Sequence, residues 1–338
     1  MEISELVGFF RQAGLAVAGG SSLWAFVFLY VARRKSKNDE GRHILEWASE
    51  RLLLLFSGAF TVAMAAWLYT VLTLPVFGHE GVTLYPRLAE TVGAFQLTFW
   101  IYVLWAAFSL GGLLSYLSNR ERFRAFLPWF FGLQFLVVSF LISVYAWTGD
   151  PVSSVQIFYY FHGFHSIFTL GTVLTLDFTF LSIRKSRTAQ RHIFPFFPQI
   201  SKIIWIGLGL DFLSVALVFD QALDLGPRFF VAQTVVSILI INGAFLSGPL
   251  TRRMLGRIKD GLLPLAGRWK YIAAVCGSIS IVSWLSITFI DFFPNVTLTY
   301  IQMMGIYTGV IVSAFVVNLI VERFDLGVAQ VPQRNDGR

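Results

Sequence analysis

Residues 52–76 read LLLLFSGAFTVAMAAWLYTVLTLPV, a run without a single charged side chain. A helix rises about 1.5 Å per residue, so about 20 apolar residues cross a hydrocarbon core about 30 Å thick. This stretch is long enough to do so, and it is one of a series: comparable runs fall at 13–32, 91–117, 126–147, 157–183, 203–222, 229–249, 271–290 and 301–321. In lipid a helix satisfies its own backbone groups. The pattern therefore predicts an all-α fold, a polytopic transmembrane bundle of about nine helices. Composition agrees, since 56% of the 338 residues are hydrophobic and 13% charged, against about 25% charged in an ordinary soluble domain.

The formal net charge of +7 suggests an anionic partner, but its distribution argues against nucleic acid. The basic residues lie between spans, in alternate loops. One loop holds Arg33, Arg34, Lys35, Lys37 and Arg42, the next Arg120, Arg122 and Arg124. Then follow Arg184, Lys185, Arg187 and Arg191, and finally Arg252, Arg253, Arg257, Lys259, Arg268 and Lys270. The intervening loops carry Arg87 and Arg228. The positive-inside rule makes the basic loops cytoplasmic. The expectation is a multi-pass protein of the inner (plasma) membrane, with its N-terminus outside and the tail 323–338 in the cytoplasm. Glu2 and Glu5 precede the first basic residue, Arg11, so the first span reads as uncleaved. The single cysteine, Cys276, excludes an intramolecular disulfide framework.

Two of the basic loops resemble each other. Arg34-Lys35-Ser36-Lys37 leads to Arg42-His43-Ile44, and Arg184-Lys185-Ser186-Arg187 leads to Arg191-His192-Ile193, at offsets of 150 and 149. Pro86-Arg87 and Pro227-Arg228 continue the order, as do Val138-Ser139-Phe140-Leu141 and Val282-Ser283-Trp284-Leu285. These matches predict two four-helix repeats, 1–150 and 151–292, followed by a ninth helix at 293–322 and the tail. An even number of spans per repeat makes the copies parallel, with a pseudo-axis along the membrane normal.

Ionisable groups inside a span are costly, and they mark sites or buried partners. The fifth span concentrates them. At 100° per residue, His162, His165, Ser166, Thr169, Thr172 and Asp177 share an arc of roughly 140°. Counted inward from the basic loops, Asp177 lies roughly 10 Å deep, Asp211 about 14 Å and Asn242 about 15 Å. Ser214 is one turn beyond Asp211, and Gly207, one turn before it, would admit a close helix. Asp177, Asp211, Asn242 and Ser214 are thus expected to form an inner polar site for a proton or cation, or else to bond one another as helix glue. Near the outer side, His162 and His165 are i, i+3 neighbours. Met303 and Met304 begin the ninth span, so imidazole with thioether could ligate copper or the iron of haem b. The run Phe194-Pro195-Phe196-Phe197-Pro198 reads as an interfacial aromatic anchor at which prolines stop a helix.

Phe161-His162-Gly163, Gly171, Asp177, Ile203-Ile204-Trp205-Ile206-Gly207 and Ile241-Asn242-Gly243 together resemble bacterial multi-span proteins in the style of the copper-resistance D family of inner-membrane proteins. The likeness covers spans five to nine. It implies a role around copper or haem, with His162 or His165, Asp177 and Asn242 as the residues carried over. No phosphate-binding loop, dinucleotide fingerprint, zinc-protease motif or nucleophile elbow is present, so an enzyme of soluble type is not expected. The leading expectation is a cation transporter or channel. The alternatives are a haem or copper redox protein, and a non-catalytic scaffold that pairs with another membrane subunit or a second copy. The partners expected are the lipid bilayer and a cation.

Overall fold

A computed structural model describes residues 3–34, 39–73, 88–146, 164–183, 186–218, 226–260, 262, 268–292 and 297–323. The regular structure within them is helical throughout. The helices are α1 (Ile3–Arg34), α2 (Asp39–Thr73), α3 (Leu88–Ser118) and α4 (Arg120–Ala146), then α5 (Phe164–Ile183) and the short α6 (Arg187–Ile193). After these come α7 (Phe197–Val218), α8 (Pro227–Lys259), α9 (Arg268–Phe292) and α10 (Tyr300–Arg323). With α6 and α7 joined in one run, Thr188–Leu213, nine helical stretches among the described residues are long and apolar enough to cross a membrane. The chain is an integral multi-pass membrane protein in contact with a lipid bilayer. Side chains such as Leu54, Leu104, Trp129 and Ile241, 59 to 75% exposed, then face acyl chains, where they cost nothing.

The helices start and end for local reasons. Ser186 caps α6 by accepting a hydrogen bond from the Ala189 amide at 3.1 Å. A 3₁₀ turn at Phe194–Phe196 follows, and Pro198 falls in the first turn of α7, where its missing N–H is harmless. The prolines therefore bend the chain without ending the span. Phe194 is no interfacial anchor: it is 1% exposed, stacked on Phe180 and edge-on to Phe197. Pro249 sits inside α8, where a π turn at Leu246–Leu250 absorbs it and lets the helix run on to Lys259.

Two compact units can be distinguished, each discontinuous in sequence. The first comprises Met1–Val27, Leu53–Gly171 and Ile206–Leu223. Its core is aromatic: Phe56 meets Phe130 and Phe131 edge-on, and Phe60 meets Trp105. The α3–α4 pair is pinned by a buried amide. Gln134 accepts from the Trp105 indole and donates to Ser109 Oγ at 2.9 Å, so its polar atoms are satisfied where water is absent. In the same unit α1 and α5 cross backbone to backbone, the Cα of Gly20 lying 3.2 Å from where a Cβ on Gly171 would stand.

The second unit comprises Phe28–Leu52, Thr172–Trp205 and Asp224–Arg338. Here α8, α9 and α10 enclose Val231, Val235, Val282, Ile287 and Tyr307. The Tyr307 hydroxyl is 2.8 Å from that of Ser283. One face of α10 packs on this cluster, and the opposite face carries Gly305 and Gly309, beside which a Cβ would meet nothing within 4 Å.

Candidate functional site

α5 bears the intramembrane polar residues, and it is not a regular helix. Residues Ile167–Gly171 form a π turn, a feature found frequently at functional sites. Thr169 Oγ1 donates to the His165 carbonyl at 2.7 Å, and Gly171 allows α1 to approach. The extra residue in the turn breaks the 100° spacing on which a continuous stripe from His165 to Asp177 depends.

In the first unit His165 meets Asp211 of α7, with Nε2 at 3.6 Å from Oδ1 and side chains 7 and 14% exposed. This is an ion-pair separation, a little beyond direct hydrogen bonding. Gly207 brings the helices together: a Cβ there would lie 2.5 Å from Thr169 Cγ2 and 3.1 Å from Phe168 Cβ. Ser166, one residue on, accepts a hydrogen bond from Gln12 Nε2 of α1 at 3.1 Å. A buried imidazole and carboxylate exchange one proton at small cost, whereas either group charged alone in lipid is expensive. The arrangement can therefore hold one proton with no isolated charge, and giving it up leaves the Asp211 carboxylate to be met by another proton or cation.

In the second unit Asp177 lies against α9. Its Oδ2 is sealed and has no hydrogen-bond partner among the described residues. Its Oδ1 is 3.8 Å from the place a Cβ on Gly277 would occupy, so the absent side chain leaves the carboxyl beside open backbone. Asn242 of α8 donates from Nδ2 to the Cys276 carbonyl at 2.9 Å. Asp177 and Asn242 thus address adjacent residues of one helix.

Of the polar residues singled out in the sequence, then, Asp177 and Asn242 converge on α9, while Asp211 belongs to the other unit with His165, Ser166 and Thr169. Thr172 is fully buried on α5. Ser214 falls in α7, its side chain outside the described residues, and His162 lies outside them altogether. Met303 and Met304 pack on the Val231–Tyr307 cluster as apolar filling. Among the described residues no group of three or more His, Cys, Asp or Glu gathers to hold a metal. Sequence reasoning missed Gln12 and Gly277. Gln12 stands one position ahead of the first apolar run and reads as interfacial, and a glycine within a span gives no sign of the carboxyl beside it.

No protein-family model matches the chain, and neither a curated protein nor a solved structure matches it.

Proposed function

We propose that the protein passes protons or another small cation through the membrane, with His165 and Asp211 as one protonatable station and Asp177 as another. The observation that carries this reading is the buried His165–Asp211 pair at 3.6 Å, set where two spanning helices meet at one end of their spans; ionisable groups held on spanning helices mark ion or proton paths. Asp177, with a sealed and unbonded oxygen, supports it from the second unit. Asp177→Asn keeps the shape and removes the ionisable group. Proteoliposomes holding this variant, or His165→Gln, are expected to lose cation-dependent flux at least tenfold while the purified protein stays monodisperse. Wild-type flux in both variants would remove the proposal. A Soret band in the purified protein would instead favour the redox alternative attached to the copper-resistance D likeness.

The proposed orientation has the N-terminus outside the plasma membrane and the C-terminus in the cytoplasm. Alkaline phosphatase fused after Lys37 or Arg187 is expected to be inactive, and activity there would reverse the topology.

A parallel duplication also belongs to this reading. Support comes from the meeting of Gly20 with Gly171, positions 151 apart, close to the 150 and 149 of the matching loops. Further support is that Gly14, whose Cβ would fall 2.8 Å from the Ala63 nitrogen, takes the place in the first half that His165 takes beside Asp211 in the second. Gly14 and Ala63 bring no ionisable group to that place. An experimental structure whose halves fail to superpose about the membrane normal would exclude the duplication.

A further inference from the structure

The two sides of α8 differ in their surroundings. Val231, Val235, Leu239 and Asn242 are buried. On the other side Phe230 is 51% and Ile241 71% exposed, with Gln233 and Ser237 exposed between them. Beside this strip stands Tyr300, the first residue of α10. An open groove of about 530 Å³ lies there, lined by Phe230, Gln233, Thr234, Ser237 and Tyr300, a size within the range of small-molecule sites.

The hydrogen bonds indicate what the groove can accept. Thr234 Oγ1 donates to the Phe230 carbonyl at 2.8 Å, and Ser237 Oγ donates to the Gln233 carbonyl at 2.8 Å. A hydroxyl has one proton, so in the 3.1 Å contact between Thr234 and Tyr300 the tyrosine is the donor. What the groove still offers is hydroxyl lone pairs and the Gln233 side-chain amide, which has no partner among the described residues. An amide with no partner in hydrocarbon is costly.

Depth narrows the choice of occupant. α8 starts at Pro227, and Arg228 ties that end to α9 by donating to the Ile290 carbonyl at 2.7 Å. Gln233 is about 9 Å further along the axis. The polar layer on each side of the hydrocarbon core is about 5–8 Å thick. Gln233 therefore lies where glycerol esters give way to acyl chains, and the Tyr300 hydroxyl, in contact with Thr234, lies at nearly the same level.

We propose that this groove binds a phospholipid whose head group donates hydrogen bonds, of the ethanolamine or glycerol type. The Gln233 N–H groups meet an ester carbonyl, the oxygens of Thr234 and Tyr300 at the same level accept from a head-group ammonium or hydroxyl folded down over the glycerol, and an acyl chain follows the exposed strip toward Ile241. A phosphocholine head group has no N–H or O–H to give and fits less well.

The test is native mass spectrometry of the full-length protein exchanged into an equimolar mixture of phosphatidylethanolamine, phosphatidylglycerol and phosphatidylcholine. The wild type is expected to retain the two donor lipids over phosphatidylcholine about fivefold, the effect of one net neutral hydrogen bond. Gln233→Leu is expected to lower total retention by a similar factor. Thr234→Val should keep lipid bound but erase the preference. Leu136→Ala, on the exposed face of α4, should change neither. Equal retention of the three lipids by the wild type, or unchanged retention by both α8 variants, would overturn the proposal. So would a change of oligomeric state in Gln233→Leu, which would assign the groove to a second copy of the chain.

Discussion

Gly171→Ala is expected to yield no stably folded protein. A methyl group there would overlap the carbonyl oxygen of Ala16 and lie 2.8 Å from its carbon. Both atoms are backbone, so no rotamer change relieves the clash. Gly20→Ala meets the same obstacle from α1, with the Gly171 Cα at 2.7 Å. In an unconstrained helix alanine would be favoured over glycine by about 1 kcal/mol, which makes a loss of stability informative. Forcing α1 and α5 apart should cost upwards of about 3 kcal/mol, the scale of severe overpacking. Gly305→Ala and Gly309→Ala are the controls, because a Cβ at either meets nothing within 4 Å. Thermal unfolding in detergent should separate the two classes clearly. A Gly171→Ala protein melting like the wild type would mean that α1 and α5 do not cross at this point.

The second large effect concerns the ion pair. Asp211→Leu strands His165 in a low-dielectric site, and His165→Leu strands the carboxylate. Removing one partner of a buried pair costs about 3–5 kcal/mol in soluble proteins. Interhelical hydrogen bonds in membranes average about 0.6 and reach about 1.7 kcal/mol, so about 2 kcal/mol is expected for each single variant. The double variant His165→Leu/Asp211→Leu leaves no charge behind and should recover most of that loss, because a packed apolar pair often replaces a buried ion pair without penalty. A double-mutant cycle by denaturant unfolding measures the coupling. Under the function proposed above, flux should remain absent in the double variant, which separates the stabilising role of the pair from the proposed role in transport. Additive losses, with no recovery, would show that the two side chains do not interact.

The spans could be read from sequence because lipid leaves the backbone no alternative to the helix, so hydropathy alone delimits them. The partner of Asp211 was not legible. Counting inward from the basic loop, with the span beginning near residue 203, sets Asp211 at a depth close to that of Asp177. The structure carries that span from Thr188 to Leu213, through the bend at Pro195, so Asp211 lies about 35 Å along it, at the end where α5 begins with Phe164. The depth of Asn242 changes for a similar reason: α8 continues to Lys259, past the basic residues Arg252 and Arg253 from which the depth is counted. The Pro195–Pro198 run reads as a stop by its local chemistry, while the 3₁₀ turn there restores the helix around it. Gly207 was legible as a site of close approach, because a missing side chain next to a carboxyl in a span has few other uses.

The crossing of Gly20 and Gly171 has a mechanical consequence. With no side chains interposed, neither helix can rotate or slide without driving one peptide into the other, so over this stretch α1 and α5 form a single stiff strut. Under the function proposed above, an alternation in the exposure of His165 then falls to α7, which meets α5 closely at Gly207. On that proposal the strut would be the stator and α7 the moving part, and the α5–α7 contact the place where inward- and outward-open forms differ most.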